Sequence, residues 1–141
     1  MNKIPSDVRA ILDGRFGHDC LIALATVSGG MPHVRTVNAY YEDGCFYVIT
    51  HARSGKMRQI RENPAAAVAG DWFSAHGIGE DLGHVLAPQN EEMLAKLRCA
   101  FAAWYDNGHT DEADENTHIL RIRLTDGVLF SHGTRYALDF T

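Results

Sequence analysis

At 141 residues, 45% of them hydrophobic and 22% charged, the chain has the composition of one globular domain with a single core, not that of a disordered segment. A formal net charge of −5 argues against the broad basic surface of a nucleic-acid binder, so any cationic cluster must be local. No apolar run approaches the roughly 20 residues of a membrane-spanning helix, and Pro5 and Asp7 interrupt the stretch where a secretion signal needs an apolar run, so a soluble cytoplasmic protein without a membrane partner is expected.

Ser6 stands where it can cap a short helix that carries Val8, Ile11 and Leu12 on one face and ends at Gly14. Residues 20–50, CLIALATVSGGMPHVRTVNAYYEDGCFYVIT, read as three strands. They are broken at Ser28-Gly29-Gly30 and Glu42-Asp43-Gly44, both hairpin-type signals. A helix from Ser54 to Asn63 offers Met57 and Ile60 to a core, and Pro64 ends it. PAAAVAGDW resumes as a strand of small residues, and GIGEDLGHVLA as another, loosened by its glycines. Asn90 is placed to cap a helix whose Met93, Leu94, Leu97, Phe101 and Trp104 recur at helical spacing. A polar loop follows. Then Leu120, Ile122 and Leu124 alternate with Arg121 and Arg123 in a half-exposed strand, which Asp126-Gly127 is expected to turn into a last one.

The expected fold is therefore mainly β: six or seven antiparallel strands with three peripheral helices, in one domain over residues 1–141. Closure into a barrel hides the sheet edges of so short a chain. Cys20, Cys45 and Cys99 are odd in number, far apart and set in apolar elements, which excludes a closed set of intrachain pairs and predicts buried, reduced thiols. His109, Asp111, Glu112, Asp114, Glu115 and His118 crowd one loop. With no HExxH, no histidines at i and i+4 and no cysteine partner, they read as a solvated acidic loop and not a metal site. No GxSxG nucleophile motif is present.

One segment carries chemistry. Between residues 49 and 64, ITHARSGKMRQIRENP gathers Arg53, Lys56, Arg58 and Arg61 where a strand hands over to a helix. Ser54 at the helix start leaves backbone N–H groups free, Gly55 admits a ligand close to the backbone, and Lys56 supplies a full charge, which are the parts of a phosphate cup; on these residues alone the alternative is an ordinary capped surface helix with a solvated basic face. It is not a P-loop: Met57 follows Gly55-Lys56, and the upstream glycine is missing. Arg35, in a strand otherwise suited to a core, needs a partner. The hairpin between the second and third strands puts it near Thr50 and Ser54.

VRTVNAYYEDGCFYVITHARSGKMRQIRENPAAAVAGDW, residues 34–72, resembles the flavin-binding core of the pyridoxamine 5'-phosphate oxidase-like family, the FMN-binding split β-barrels. The likeness lies in the order Arg-x-Val strand, apolar strand ending in Thr, Ser-x-Lys at a helix start, and Asn-Pro. The later WFSAHGIGEDLGHVLAPQNEEMLAKLRCAFAAWYDNGH and RYALDF resemble the short bacterial branch labelled general-stress-protein-like. The resemblance implies a homodimer with FMN in clefts between the subunits. It implies Arg35 and Lys56 on the phosphate, Thr50, Ser54 and Gly55 beside it, Val37 and Asn38 where the strand runs beneath the isoalloxazine, and Thr36 among the cofactor-binding residues. Trp72 and His76 are implied to act from the partner chain. Tyr40 stands where the oxidases that act on vitamin B6 have a substrate-binding lysine, and their arginine-rich C-terminal clamp is missing, so that activity is not expected. The resemblance thus implies a flavin-dependent oxidoreductase of unknown substrate, with a small molecule or NAD(P)H as electron donor. The alternatives are a non-catalytic flavin-binding or sensing protein, or the same barrel holding haem or a deazaflavin.

Overall fold

The computed structural model describes residues 3–141. In chain order the elements are α1 (Ser6–Phe16), β1 (Cys20–Ser28), β2 (Met31–Glu42), β3 (Cys45–His51), α2 (Gly55–Glu62), β4 (Ala65–Gly70), β5 (Phe73–His84), α3 (Glu91–Ala100), β6 (Thr117–Ser131) and β7 (Thr134–Asp139). The strands lie in the order β3-β2-β1-β4-β5-β6-β7, every pairing is antiparallel, and β3 also pairs with β6. Six strands therefore close a barrel and β7 extends it along β6. None of the described helices is long and apolar enough to cross a membrane.

The two hairpins fall where the turn residues demand them. Gly29 and Gly30 take positive φ between β1 and β2, and Asp43 and Gly44 do so between β2 and β3. Inside the barrel, Leu12, Phe16, Ile22, Leu24, Tyr41, Phe46, Met57 and Ile122 are almost wholly buried, with Phe16 packed against Phe46 and Phe73. Helix α2 packs against β1 and β5 and sends Met57 and Ile60 into this core. Gly79 of β5 permits that approach, because a Cβ there would sit 2.8 Å from Ile60. A second apolar cluster joins Leu94, Leu97, Phe101 and Tyr105 to Tyr47 and Ile119, which fixes α3 and the segment after it over β3 and β6.

Four details expected from the sequence are different in the fold. Helix α1 begins after Pro5, Ser6 lies within it and makes no cap, and it runs through Gly14 to Phe16 before Gly17 ends it. Burying Phe16 outweighs the roughly 1 kcal/mol that an internal glycine costs a helix. Asp126-Gly127 is not a turn: both residues pair with β5 on one side and β7 on the other, and the turn comes at His132-Gly133, where φ is positive. Gly127 is needed for closeness instead, since a Cβ would lie 2.8 Å from the Ser74 carbonyl oxygen. Asn90 does precede α3, but its amide donates to the carbonyls of Leu82 and His84 and caps nothing. The thiols are less buried than expected: all three are free, Cys20 and Cys45 are half-buried, and Cys99 is exposed on α3.

Helix α3 and the segment after it cover the outer face only around Tyr40, Tyr47, Leu82 and Ile119; among the described residues, no element packs on the rest of that face, across β1, β4 and the adjoining parts of β2, β5 and β6. Its centre is built from small residues of β1 and β4 (Ala23, Ala25, Ala67 and Ala69), and one cross-strand row runs Val34, Ala25, Ala67, His76 and Asp126 in register. Leu21 is 64% exposed there, Val34 71% and Trp72 71%, with Phe130 packed edge-on to the Trp72 ring. Large apolar side chains gathered on one uncovered sheet face are the usual mark of an interaction surface.

Candidate functional site

The β2–β3 ladder covers only three residue pairs, from Glu42↔Cys45 to Tyr40↔Tyr47. Beyond Tyr40 the strands part. Strand β2 stays paired with β1 through Met31, and β3 stays paired with β6 through His51, so each keeps one satisfied edge and turns the other into the gap. Backbone N–H and C=O groups on such edges need partners, and a flat ligand with hydrogen-bonding edges can supply them. A pocket of about 240 Å³ occupies this split. Val37 and Asn38 of β2, Val48 and Ile49 of β3, Lys56 of α2, and Trp104, His109 and Thr110 from the segment after α3 line it.

The polar groups around it are held firmly. Asp19 takes hydrogen bonds from Asn38 Nδ2 and from Trp104 Nε1, each at 2.9 Å, and so fixes the amide and the indole together. With Nδ2 committed to Asp19, Asn38 has its amide oxygen left to offer a ligand. Ser54 caps α2, accepting from the Met57 N–H at 3.5 Å, and its hydroxyl lies 3.5 Å from that of Thr50.

Arg35 is pinned from several sides. It donates to Thr26 Oγ1 at 2.7 Å, to Gln59 Oε1 at 3.1 Å and to the Leu24 carbonyl at 3.3 Å. The hydroxyl it meets is that of Thr26, not those of Thr50 or Ser54, because Arg35 points to the barrel side of β2 under α2. Among the described residues none of its partners is a carboxylate. Lys56 has no ion pair among them either, and burial together with the charge of Arg35 pulls its pKa down. Burial likewise lowers that of Arg35. Two neighbouring, partly desolvated cations thus stand without a counter-charge in a chain whose net charge is −5. The other cations of the segment differ: Arg61 reaches the Ala52 carbonyl and Asp81, and Arg53 and Arg58 point to solvent.

The fold brings Val37, Asn38 and Lys56 to one pocket, sets Arg35 close to Lys56, and leaves Thr50, Ser54 and Gly55 at the start of α2. Thr36 faces away from Arg35 and Val37, onto the outer sheet face. So does His76, whose Nδ1 lies 2.9 Å from Asp126 Oδ1, and Trp72 is on that face too. Within one chain these three do not reach the Lys56 pocket. Tyr40 is tied to Glu42 at 3.3 Å, and Glu42 to Lys96; burial, then Glu42, raise the phenol's pKa, so Tyr40 stays protonated. The sequence does not mark Thr26, Gln59 or Asp19 as site residues, and it offers Trp104 only as part of an apolar stripe and His109 only as part of an acidic loop. The acidic loop is laced down and not simply solvated: Glu112 takes Arg98, and Asp81 takes His118 at 2.8 Å.

The profile described as pyridoxamine 5'-phosphate oxidase matches residues 18–129, and the chain belongs to that family. No curated protein matches the sequence. Similar folds include General Stress Protein 26 from Bacillus anthracis, 17% identical over 93% of this chain and 98% of that one, with a TM-score of 0.69. An FAD-binding protein from Mesorhizobium loti is 15% identical over 88% of this chain and 92% of its own, with a TM-score of 0.67. A heme binding protein from Mycobacterium smegmatis is 14% identical over 87% of this chain and 54% of its own, with a TM-score of 0.64.

Proposed function

We propose that this member of the pyridoxamine 5'-phosphate oxidase family is an FMN-binding flavoprotein that works as a homodimer, most simply as an oxidoreductase on a small molecule. The observation that carries the reading is the uncompensated pair Arg35 and Lys56 at the foot of the β2–β3 split. A terminal phosphate supplies the negative charge both lack, and it does so beside the N-terminus of α2, where helix N–H groups favour an anion. The isoalloxazine would lie in the split along Val37 and Asn38, with the free strand edges and the Asn38 amide oxygen available to its polar rim. When bound, flavin supplies hydride and electron chemistry that no side chain of the pocket can perform.

The exposed apolar face supports the homodimer. A second copy covering Leu21, Val34 and Trp72 would remove them from water, and it would carry Thr36, Trp72 and His76 to an intersubunit cleft. His76, oriented by Asp126, would then be the side chain best placed to hold a proton near a bound ligand.

A second reading has its own support. His109 lines the pocket and one similar fold is named for binding heme, so the same site could hold haem. The visible absorption spectrum of the protein after purification and after reconstitution separates the two. Flavin bands at one equivalent per subunit support the proposal, and a haem Soret band overturns it. Anaerobic mixing with NADPH then tells an oxidoreductase, which bleaches its flavin, from a flavin carrier, which does not.

A further inference from the structure

Gln59 holds Arg35 by the kind of contact a carboxylate usually makes, yet it brings no charge. It is 9% exposed, and Thr26 beside it is fully buried. Arginine only donates, so the Gln59 atom 3.1 Å from Arg35 must be the amide oxygen. Thr26 accepts from Arg35 at 2.7 Å, and its hydroxyl donates to that same oxygen at 2.6 Å. The three side chains close a ring of hydrogen bonds joining β1, β2 and α2. In shape and bonding, glutamate would serve there equally well, and a guanidinium in a partly buried site would ordinarily be paired with one.

We propose that Gln59 is a charge-preserving positioning residue: it fixes the Arg35 guanidinium for a phosphate-bearing ligand while leaving its charge uncompensated. The inference rests on the phosphate-site reading above and deepens it. A carboxylate at position 59 would hold Arg35 in the same place and neutralise it inside the protein, leaving Lys56 alone to attract the anion. Gln59 therefore sets the site's preference for a doubly charged phosphate over an uncharged analogue without touching the ligand's ring.

The test is Gln59→Glu, with Gln59→Met as a control that removes the hydrogen bonds but adds no charge. FMN and riboflavin, which lacks the phosphate, are titrated into each protein, and thermal midpoints are read with and without inorganic phosphate. In Gln59→Glu the ligand-free midpoint at neutral pH should equal or exceed that of the wild type, because the introduced carboxylate pairs with Arg35. The preference for FMN over riboflavin should fall at least tenfold, riboflavin affinity should hold, and stabilisation by inorganic phosphate should vanish. Gln59→Met should lose stability but keep more of the FMN preference than Gln59→Glu. If Gln59→Glu keeps the full preference while the wild type discriminates, the positioning role is wrong and the phosphate site stands. If the wild type ignores the flavin phosphate yet is stabilised by inorganic phosphate and Gln59→Glu is not, the flavin reading falls and the role of Gln59 survives. A wild type indifferent to both probes overturns both.

Discussion

Lys56→Met removes a charge from the pocket while keeping the aliphatic stem, and a phosphate cup and a solvated helix face respond to it in opposite ways. At an effective dielectric of about 20, unit charges about 4 Å apart attract by about 4 kcal/mol. Ordering the long side chain and stripping its water reduce the net value of a charge-assisted contact to about 1.5–3 kcal/mol. At about 1.4 kcal/mol per decade, FMN should bind roughly ten- to a hundredfold more weakly, while riboflavin affinity should hardly change. The ligand-free protein should move the other way. The lowered Lys56 pKa means that its charged form, crowded by burial and Arg35, costs the empty fold stability at neutral pH. That cost is relieved as pH rises through the folded pKa, so Lys56→Met should raise the empty protein's thermal midpoint at pH 7, with the gain shrinking at high pH. Calorimetric titration of both flavins and thermal melts across pH measure the whole pattern. A folded Lys56→Met protein with unchanged FMN affinity would refute the reasoning and leave the cations of residues 53–61 as a solvated helix face.

Three further outcomes are expected. Val34→Asp, on the open apolar face, should convert a dimer into a monomer in sedimentation velocity without unfolding the barrel; a wild type that sediments as a monomer would remove the intersubunit cleft. Iodoacetamide should label Cys99 first, because it is exposed, and Cys20 last, because burial and then Asp19 push its thiol up to about 11; rapid labelling of Cys20 in mass spectra would contradict its packing. Burial pushes the Asp81 carboxyl up, but the Gly83 N–H, His118 and Arg61 outweigh it and hold its pKa below 3.8, so Asp81 stabilises the fold above that value and ceases to as pH falls through the folded pKa. Asp81→Asn should lower the melting temperature at pH 7 and converge with the wild type in acid; an equal deficit at both pH values would show that shape, not charge, matters there.

Much of the architecture was legible because local signals and global fold agree. Glycine-bearing turns, alternating apolar strands and the Ser54 cap each needed only a few neighbouring residues to interpret. Asp126-Gly127 misled because a glycine required for close strand packing looks the same in sequence as one required for a turn; only the position of Ser74 in the next strand distinguishes them. Gly14 misled for a related reason, since the burial of Phe16 that extends α1 depends on Phe46 and Phe73, far away in sequence. At the site, Lys56 and Arg35 were visible as cations out of place in a helix start and a core-like strand. Thr26, Gln59 and Asp19 were not, because a threonine in a strand or a glutamine on a helix carries no mark of which distant group it will meet.

If the charge on a ligand's phosphate completes the pair Arg35 and Lys56 while its ring fills the β2–β3 split, a crystal structure of the protein grown with FMN shows it most directly. The phosphate should lie within hydrogen-bond distance of both Arg35 and Lys56, with the ring along Val37 and Asn38 and the Arg35–Gln59 contact intact. FMN bound with its phosphate in solvent, or a ligand seated elsewhere with Arg35 and Lys56 still facing each other unpaired, would contradict it.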